Sequence, residues 1–282
     1  MQTIEIFWDQ KLGAGGEGEV FRGRYGGQTV AVKTPHNPHQ LERIPVLRAA
    51  GRQGLENELQ RRNLVQGEHH VKLLAHGLDH TIPFLVFELA EKGSLADEMA
   101  EMRKRGESYQ PLTALARIEE ILCALREAHD CNIIHRDVKP ANFLRFADNR
   151  IKLNDFGLGR TADRACSNQT QFFRGTPLYA APEQLAGGCV THRADLYAVG
   201  AILYEMLTGK APMPALRPLV LPTNPAIRQE LRSFGQKLFA HNPDNRFCCA
   251  QRALNELAKV RAAYQAQARP CPRCGQFHHQ WH

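Results

Sequence analysis

The sequence predicts an α+β fold in two successive parts, strands first and helices after. Three stretches carry that reading. Gln28-Thr29-Val30-Ala31-Val32-Lys33 alternates and is rich in β-branched residues, as a half-buried strand is. Phe84 to Ala90 is an apolar run of strand length, interrupted only by Glu88. Leu112 to Asp130 repeats apolar residues at 115, 118, 121, 122, 125 and 128, a stripe at helical period that belongs against a core. Strands followed by helices point to an α+β arrangement rather than to alternating βα units.

Taken in order, the chain opens with apolar residues at Ile4, Ile6, Phe7 and Leu12, then the glycine-rich Gly13-Ala14-Gly15-Gly16-Glu17-Gly18-Glu19-Val20, then Phe21. That context suits a hairpin of two strands with a loop whose backbone amides can approach phosphates. Residues 34 to 54 hold three prolines and two glycines and read as a long connection. A helix is expected from Leu55 to about Val65, and a strand at Val71-Lys72-Leu73. Ser94 is a good N-cap for a helix over Leu95 to Arg103. Asn132-Ile133-Ile134 and Arg150 to Asn154 read as short strands, and a last helix ends near Ala268. The apolar stretch Leu196 to Leu207 is interrupted by Gly200 and Glu205 and is too short to span a bilayer.

With 282 residues the chain can bury a large core, as one domain or as two lobes of one unit. At 43% hydrophobic and 23% charged it reads as globular. A formal charge of +7 permits attraction to acidic partners, but no basic run or aromatic ladder localises it, which argues against nucleic acid. Met1 to Gln10 carries Glu5 and Asp9 and lacks a signal-peptide pattern, so a cytoplasmic protein without a membrane segment is expected. The eight scattered cysteines then read as reduced thiols.

The densest chemistry lies in His135-Arg136-Asp137-Val138-Lys139-Pro140-Ala141-Asn142, followed thirteen residues later by Asp155-Phe156-Gly157. Two carboxylates, a lysine and an asparagine at this spacing suit phosphoryl transfer from a metal-bound nucleotide. Asp137 can accept a hydroxyl proton, Lys139 can balance phosphate charge, and Asn142 with Asp155 can hold Mg²⁺ through hard oxygen donors. With the glycine loop and Val30-Ala31-Val32-Lys33 upstream, the pattern from about Leu12 to about Val260 resembles the eukaryotic-type (Hanks-type) serine/threonine protein kinase family. The phrase Val138-Lys139-Pro140-Ala141-Asn142 looks more like a bacterial member.

The resemblance implies a bilobal protein-kinase-like fold. Its N-lobe, with a small antiparallel sheet and one helix, would span 1–90, its mainly helical C-lobe 91–265, and a Cys/His tail 266–282. It implies ATP-dependent phosphorylation of Ser or Thr hydroxyls on protein substrates, with Mg²⁺ as the ion and Mn²⁺ as an alternative. Nucleotide-binding positions carried over are Leu12, Gly13, Gly15, Gly18, Val20 and Ala31 in the first strands, with Phe87, Glu88, Ala90 and Leu144 around the base. Lys33 would contact phosphates and be held by a helix glutamate; spacing points to Glu58, with Glu56 as the fallback. Phe87 would wall the adenine pocket. Lys139, with proline after it, suits Ser/Thr rather than Tyr substrates, and His135 becomes a packing residue.

Leu158 to Tyr179 resembles an activation segment, with Ser167 or Thr170 as a phosphosite facing Arg136 and self-association for autophosphorylation in trans. Thr176 would bridge Asp137 and Lys139. Glu183 would pair with Arg246, and Asp195 would brace the catalytic loop. One departure stands out: four residues beyond Glu58 the family places an apolar residue, and here Arg62 stands. Either the register is shifted or the helix is not docked in the active way, which keeps a pseudokinase scaffold as the alternative. In the tail, Cys271-Pro272-Arg273-Cys274-Gly275 resembles half a zinc knuckle, with His278, His279 or His282 able to complete a tetrahedral Zn²⁺ set.

Overall fold

The computed structural model describes residues 3–15, 18–38, 45–65, 67–155, 160–161, 177–212, 219–223 and 225–267. Strands β1 (Ile4–Gly15), β2 (Gly18–Tyr25), β3 (Gln28–Thr34), β4 (Leu73–Gly77) and β5 (Phe84–Glu88) form one antiparallel sheet in the order β1-β2-β3-β5-β4. The period-2 geometry of β5 explains its unbroken apolar run. Leu85 and Phe87 face one cluster with Leu55, Leu59 and Val71, while Phe84 and Val86 face another with Val30 and Val32. β4 begins two residues later than the strand expected at Val71.

Helix α1 runs from Pro45 to Leu64, so it starts ten residues before the expected Leu55. Gly51 and Gly54 read as breakers in the sequence, yet both are helical. Gly51 lies so close to Pro35 that a Cβ there would sit 2.5 Å from the proline Cβ. Pairs across one turn, Arg52 with Glu56 at 2.8 Å and Gln53 with Asn57 at 3.2 Å, support the same stretch. Leu55 and Leu59 seat the helix on β5.

The second lobe is mainly helical: α2 (Leu95–Lys104), α3 (Pro111–Asp130), α4 (Pro182–Leu185), α5 (His192–Thr208), α6 (Gln229–Leu238) and α7 (Ala250–Gln267). Ser94 and Asp97 form a reciprocal capping box at the start of α2, worth about 1 kcal/mol. All six stripe positions of α3 are buried. Helix α5 is buried from Ala194 through Leu207, as a helix apolar on all sides must be. At Gly200 a Cβ would meet Leu238 and Phe239 at 2.8 to 3.0 Å, so the glycine lets α6 approach. Four short strands, β6 (Ile133–Ile134), β7 (Phe143–Arg145), β8 (Ile151–Leu153) and β9 (Arg160–Thr161), pair as β6-β9 and β7-β8 and frame the loop between Ile134 and Phe143. No described helix is long and apolar enough to cross a membrane.

Among the described residues, Cys123, Cys131, Cys248 and Cys249 are free thiols.

The lobes are joined behind the loop by His70, which forms a bridge with Leu153 and holds the Ala124 carbonyl of α3 at 3.0 Å through Nε2. Burial, followed by the field of Arg62 on α1 and those of His135 and His69, pushes its imidazole from 6.5 down to about 3. Glu127 lies 3.4 Å away and favours the charged form, but His69 already engages that carboxylate at 2.7 Å. The folded pKa is below the unfolded one, so the unfolded chain takes up the proton. The stability His70 contributes is therefore complete above about pH 6.5 and is lost progressively as pH falls toward 3. At pH 5 the expected loss is about 2 kcal/mol, 1.5 pH units at about 1.36 kcal/mol each. Urea unfolding at pH 7.5 and pH 5 checks this, with His70→Gln expected to flatten the difference; an equal pH dependence in both proteins excludes His70 as its source.

Candidate active site

Lys33 sits on β3 opposite Leu85 of β5, which fixes the strand end that its side chain leaves. Its Nζ donates to Glu58 Oε2 at 2.6 Å and lies 3.5 Å from Asp155 Oδ1. Glu56 instead pairs with Arg52 on the outer side of α1. The glutamate is almost fully buried, and its second oxygen lies 4.0 Å from Arg62 Nε. One carboxylate thus stands between two cations, and the helix is docked.

Around the expected nucleotide pocket, Phe87 belongs to an apolar cluster against which Ala31, Ala90 and Leu144 pack. These three come from separate segments, and the sheet and the β7 strand bring them together. Leu12 is exposed on the hairpin, and Gly13 and Gly15 have open space where a Cβ would be. At Gly18, by contrast, a Cβ would meet the Thr34 carbonyl at 2.1 Å, so only glycine lets β2 lie this close to the end of β3. Val20 pairs with Lys33 in register. The Glu88 carboxylate takes Lys152 at 2.7 Å, and its N–H donates to the Lys72 carbonyl at 3.0 Å. A base would therefore find its donors beyond Glu88.

In the loop, Lys139 Nζ donates to Asp137 Oδ2 at 2.6 Å. Asn142 directs its amide nitrogen to the Asp137 carbonyl at 2.7 Å, which turns its amide oxygen the other way as a hard donor. Asp155, at the end of β8, is held with φ +60, and Arg136 with φ +67. Left-handed backbone at two non-glycine residues costs energy and persists only where the surroundings impose it.

For Arg136 the cause is visible. Asp195, at the start of α5, accepts from the backbone N–H groups of His135 at 2.9 Å and Arg136 at 2.8 Å, and from His129 Nε2 at 2.8 Å. Burial alone would raise its carboxyl; the hydrogen bond and charge of His129, the charge of His135 and the loop N–H donors outweigh that and hold it below the usual carboxylate range. Asp195 is thus an anion tying the loop to the core. His135 is buried, and its Nδ1 accepts from the Asp137 N–H at 3.3 Å, a packing role rather than that of a base. Glu183 meets Arg246 through two parallel bonds of 2.7 and 2.8 Å.

Residues 8–257 match the protein kinase domain family. The chain belongs to the protein kinase family. Among curated kinases it is 33% identical over 235 residues to serine/threonine-protein kinase A of Synechocystis sp., an alignment that covers 75% of this chain and 41% of that protein. It is 40% identical over 142 residues to serine/threonine-protein kinase PknL of Mycobacterium tuberculosis, covering 50% of this chain and 35% of the relative. With serine/threonine-protein kinase PknB of Mycobacterium leprae the identity is 33% over 201 residues, 66% of this chain and 32% of the relative. The aligned region thus spans 32 to 41% of the length of these kinases.

Several expectations lie outside the described residues of this kinase: Phe156 and Gly157, the phosphosite candidates Ser167 and Thr170, Thr176, and the tail residues Cys271, Cys274, His278, His279 and His282. Among the described residues, no three or more His, Cys, Asp and Glu side chains gather to hold a metal ion. Sequence reasoning missed a buried acid. Glu205 on α5 accepts from Arg103 and, at 2.5 Å, from the Tyr179 hydroxyl, anchoring the residue after Gly175-Thr176-Pro177-Leu178 to the core. Glu205 was visible only as an interruption of an apolar run, but an acid within such a run demands buried partners.

Proposed function

We propose that this chain transfers the γ-phosphate of ATP to Ser or Thr hydroxyls of protein substrates, with Asp137 as the base. The observation that carries it is the convergence of Lys33, Glu58 and Asp155 on one side and of Asp137, Lys139 and Asn142 on the other. The hydroxyl oxygen attacks the γ-phosphorus, the bond to the β–γ bridging oxygen breaks, ADP departs, and the hydroxyl proton passes to the Asp137 carboxylate. Lys139 balances charge on the transferred group, and Lys33, steadied by Glu58, holds the α and β phosphates. Asn142 and Asp155 fit Mg²⁺ (or Mn²⁺), since one offers an amide oxygen and the other a part-exposed carboxylate. When bound there, the ion neutralises phosphate charge.

In this reading Ser167 or Thr170, once phosphorylated by a second copy of the chain, is drawn to Arg136 and orders the segment around it. The cytoplasm, where ATP is available, is the proposed compartment. The scaffold alternative was prompted by Arg62, and a docked Lys33–Glu58 pair removes its motive.

The test is transfer from γ-labelled ATP to pooled Ser, Thr and Tyr peptides, by wild type beside Lys33→Met, followed by identification of the phosphorylated amino acid. Labelled phosphoserine or phosphothreonine from wild type alone is expected. Label on neither protein, with both folded, would return the scaffold reading, and phosphotyrosine would overturn the substrate class.

A further inference from the structure

One turn after Glu58, Arg62 buries a guanidinium behind the site, its side chain only 4% exposed. Burial lowers its pKa, with Glu58, Asp155 and Glu88 acting in the opposite sense; an arginine still keeps its charge there. A buried cation is costly unless its donors are used, and two of them reach segments outside α1. Nη1 donates to the Val71 carbonyl at 2.5 Å, Nη2 donates to Asn154 Oδ1 at 2.6 Å, and the guanidinium lies 4.8 Å from the Phe87 ring centroid.

Asn154 is the informative partner. Its side chain accepts from Arg62, its backbone N–H donates to the Asn142 carbonyl at 2.7 Å, and its next residue is Asp155. Val71 in turn donates through its N–H to the Leu153 carbonyl at 3.0 Å. The guanidinium therefore grips β8 at the point where the chain turns into the left-handed backbone of Asp155. An apolar side chain would fill the same volume and pack on Phe87, but it would make neither bond.

We infer that Arg62 is a positioning residue: it ties the helix that carries Glu58 to the strand end that carries Asp155 and, through Asn154, to Asn142. The inference rests on the phosphoryl-transfer reading for its consequence, because the two groups it sets in register are the proposed metal ligands. Losing the tie lets Asn142 and Asp155 drift relative to Lys33, while the peptide-binding side of the site is untouched.

Arg62→Met, which keeps volume and apolar contact, is expected to lower kcat about tenfold, since a displacement on the ångström scale is enough to do so. The Mg²⁺ concentration for half-maximal activity should rise, and the KM for peptide should stay at the wild-type value. Asn154→Ala removes only the acceptor and should reproduce both changes, and the double variant should be no worse than the poorer single one. Arg62→Lys, with charge but no fork, should fall between wild type and Arg62→Met. A folded Arg62→Met with wild-type kcat and Mg²⁺ dependence would mean that the arginine merely fills space. Should Arg62→Met fail to fold, Asn154→Ala decides, and wild-type behaviour there overturns the proposal. Amide exchange separates this result from the fate of the kinase reading. If wild type transfers no label, that reading fails alone, and the tie stands or falls on whether both variants speed exchange equally over 55–64 and 151–155.

Discussion

Asp137→Ala is expected to lower kcat for peptide phosphorylation about 10²- to 10⁴-fold, the usual contribution of a positioned general base. ATP affinity should hardly move. The side chain removed is bound to Lys139 at 2.6 Å, but the groups proposed to hold the nucleotide and ion are fixed by other means. Lys33 is set by Glu58, and Asn142 is oriented by the backbone carbonyl of residue 137, which alanine retains. The loop itself hangs from Asp195 through the N–H groups of His135 and Arg136, again independent of the Asp137 side chain. Asp137→Asn makes the comparison sharper. It keeps a carbonyl oxygen for Lys139 but offers no carboxylate to accept the proton, so its rate should lie near that of alanine if proton acceptance dominates, and well above if the lysine contact dominates. Steady-state kinetics with separate calorimetric titration of nucleotide would show this. A full-rate alanine variant would remove Asp137 from the mechanism.

What could be read in the sequence was local chemistry with a fixed offset. The spacing within His135 to Asn142 and from there to Asp155 places groups along a short loop and the adjoining β7–β8 hairpin, so local offsets alone bring them together. Element types were legible for the same reason: the stripe of α3 and the alternation of β3 follow from period alone. The start of α1 was not, because Gly51 is explained by Pro35, a neighbour met only after folding. The choice between Glu56 and Glu58 was a matter of two residues, roughly 200° around a helix. Pattern cannot settle it, whereas the buried face seated on β5 turns Glu58 to Lys33. Arg62 is the clearest case. As a residue type at that offset it looked like a sign of a misplaced helix, and in three dimensions its partners are Val71 and Asn154, 9 and 92 residues away. Buried polar side chains are explained by partners, and partners are set by the fold.

The largest stability effect is expected at Arg246, whose partners belong to α4, to α5 and to the turn just before the arginine. All five of its donors are accounted for: two bonds to Glu183, and one each to the carbonyls of Ala240, Arg193 and His241, at 2.7 to 3.0 Å. The guanidinium also lies 4.9 Å from the Tyr197 ring centroid, and its side chain is wholly shielded from solvent. Arg246→Met would strip a largely buried carboxylate of both guanidinium bonds and take one donor from each of three carbonyls. Breaking such a pair on one side costs about 3–5 kcal/mol, a drop of roughly 10 °C in unfolding midpoint for a chain of this size. Lysine should recover little, because one ammonium cannot serve Glu183 bidentately and three carbonyls at once. Glu183→Gln, which keeps shape and one acceptor, should cost less than Arg246→Met, and adding it to Arg246→Met should return part of the loss, because no unpaired charge then remains. Urea unfolding of wild type and the four variants measures this directly. An Arg246→Met protein within about 1 kcal/mol of wild type would show that water reaches Glu183 once the arginine is gone, and that the pair orders Ala181 to Glu183 rather than holding the lobe together.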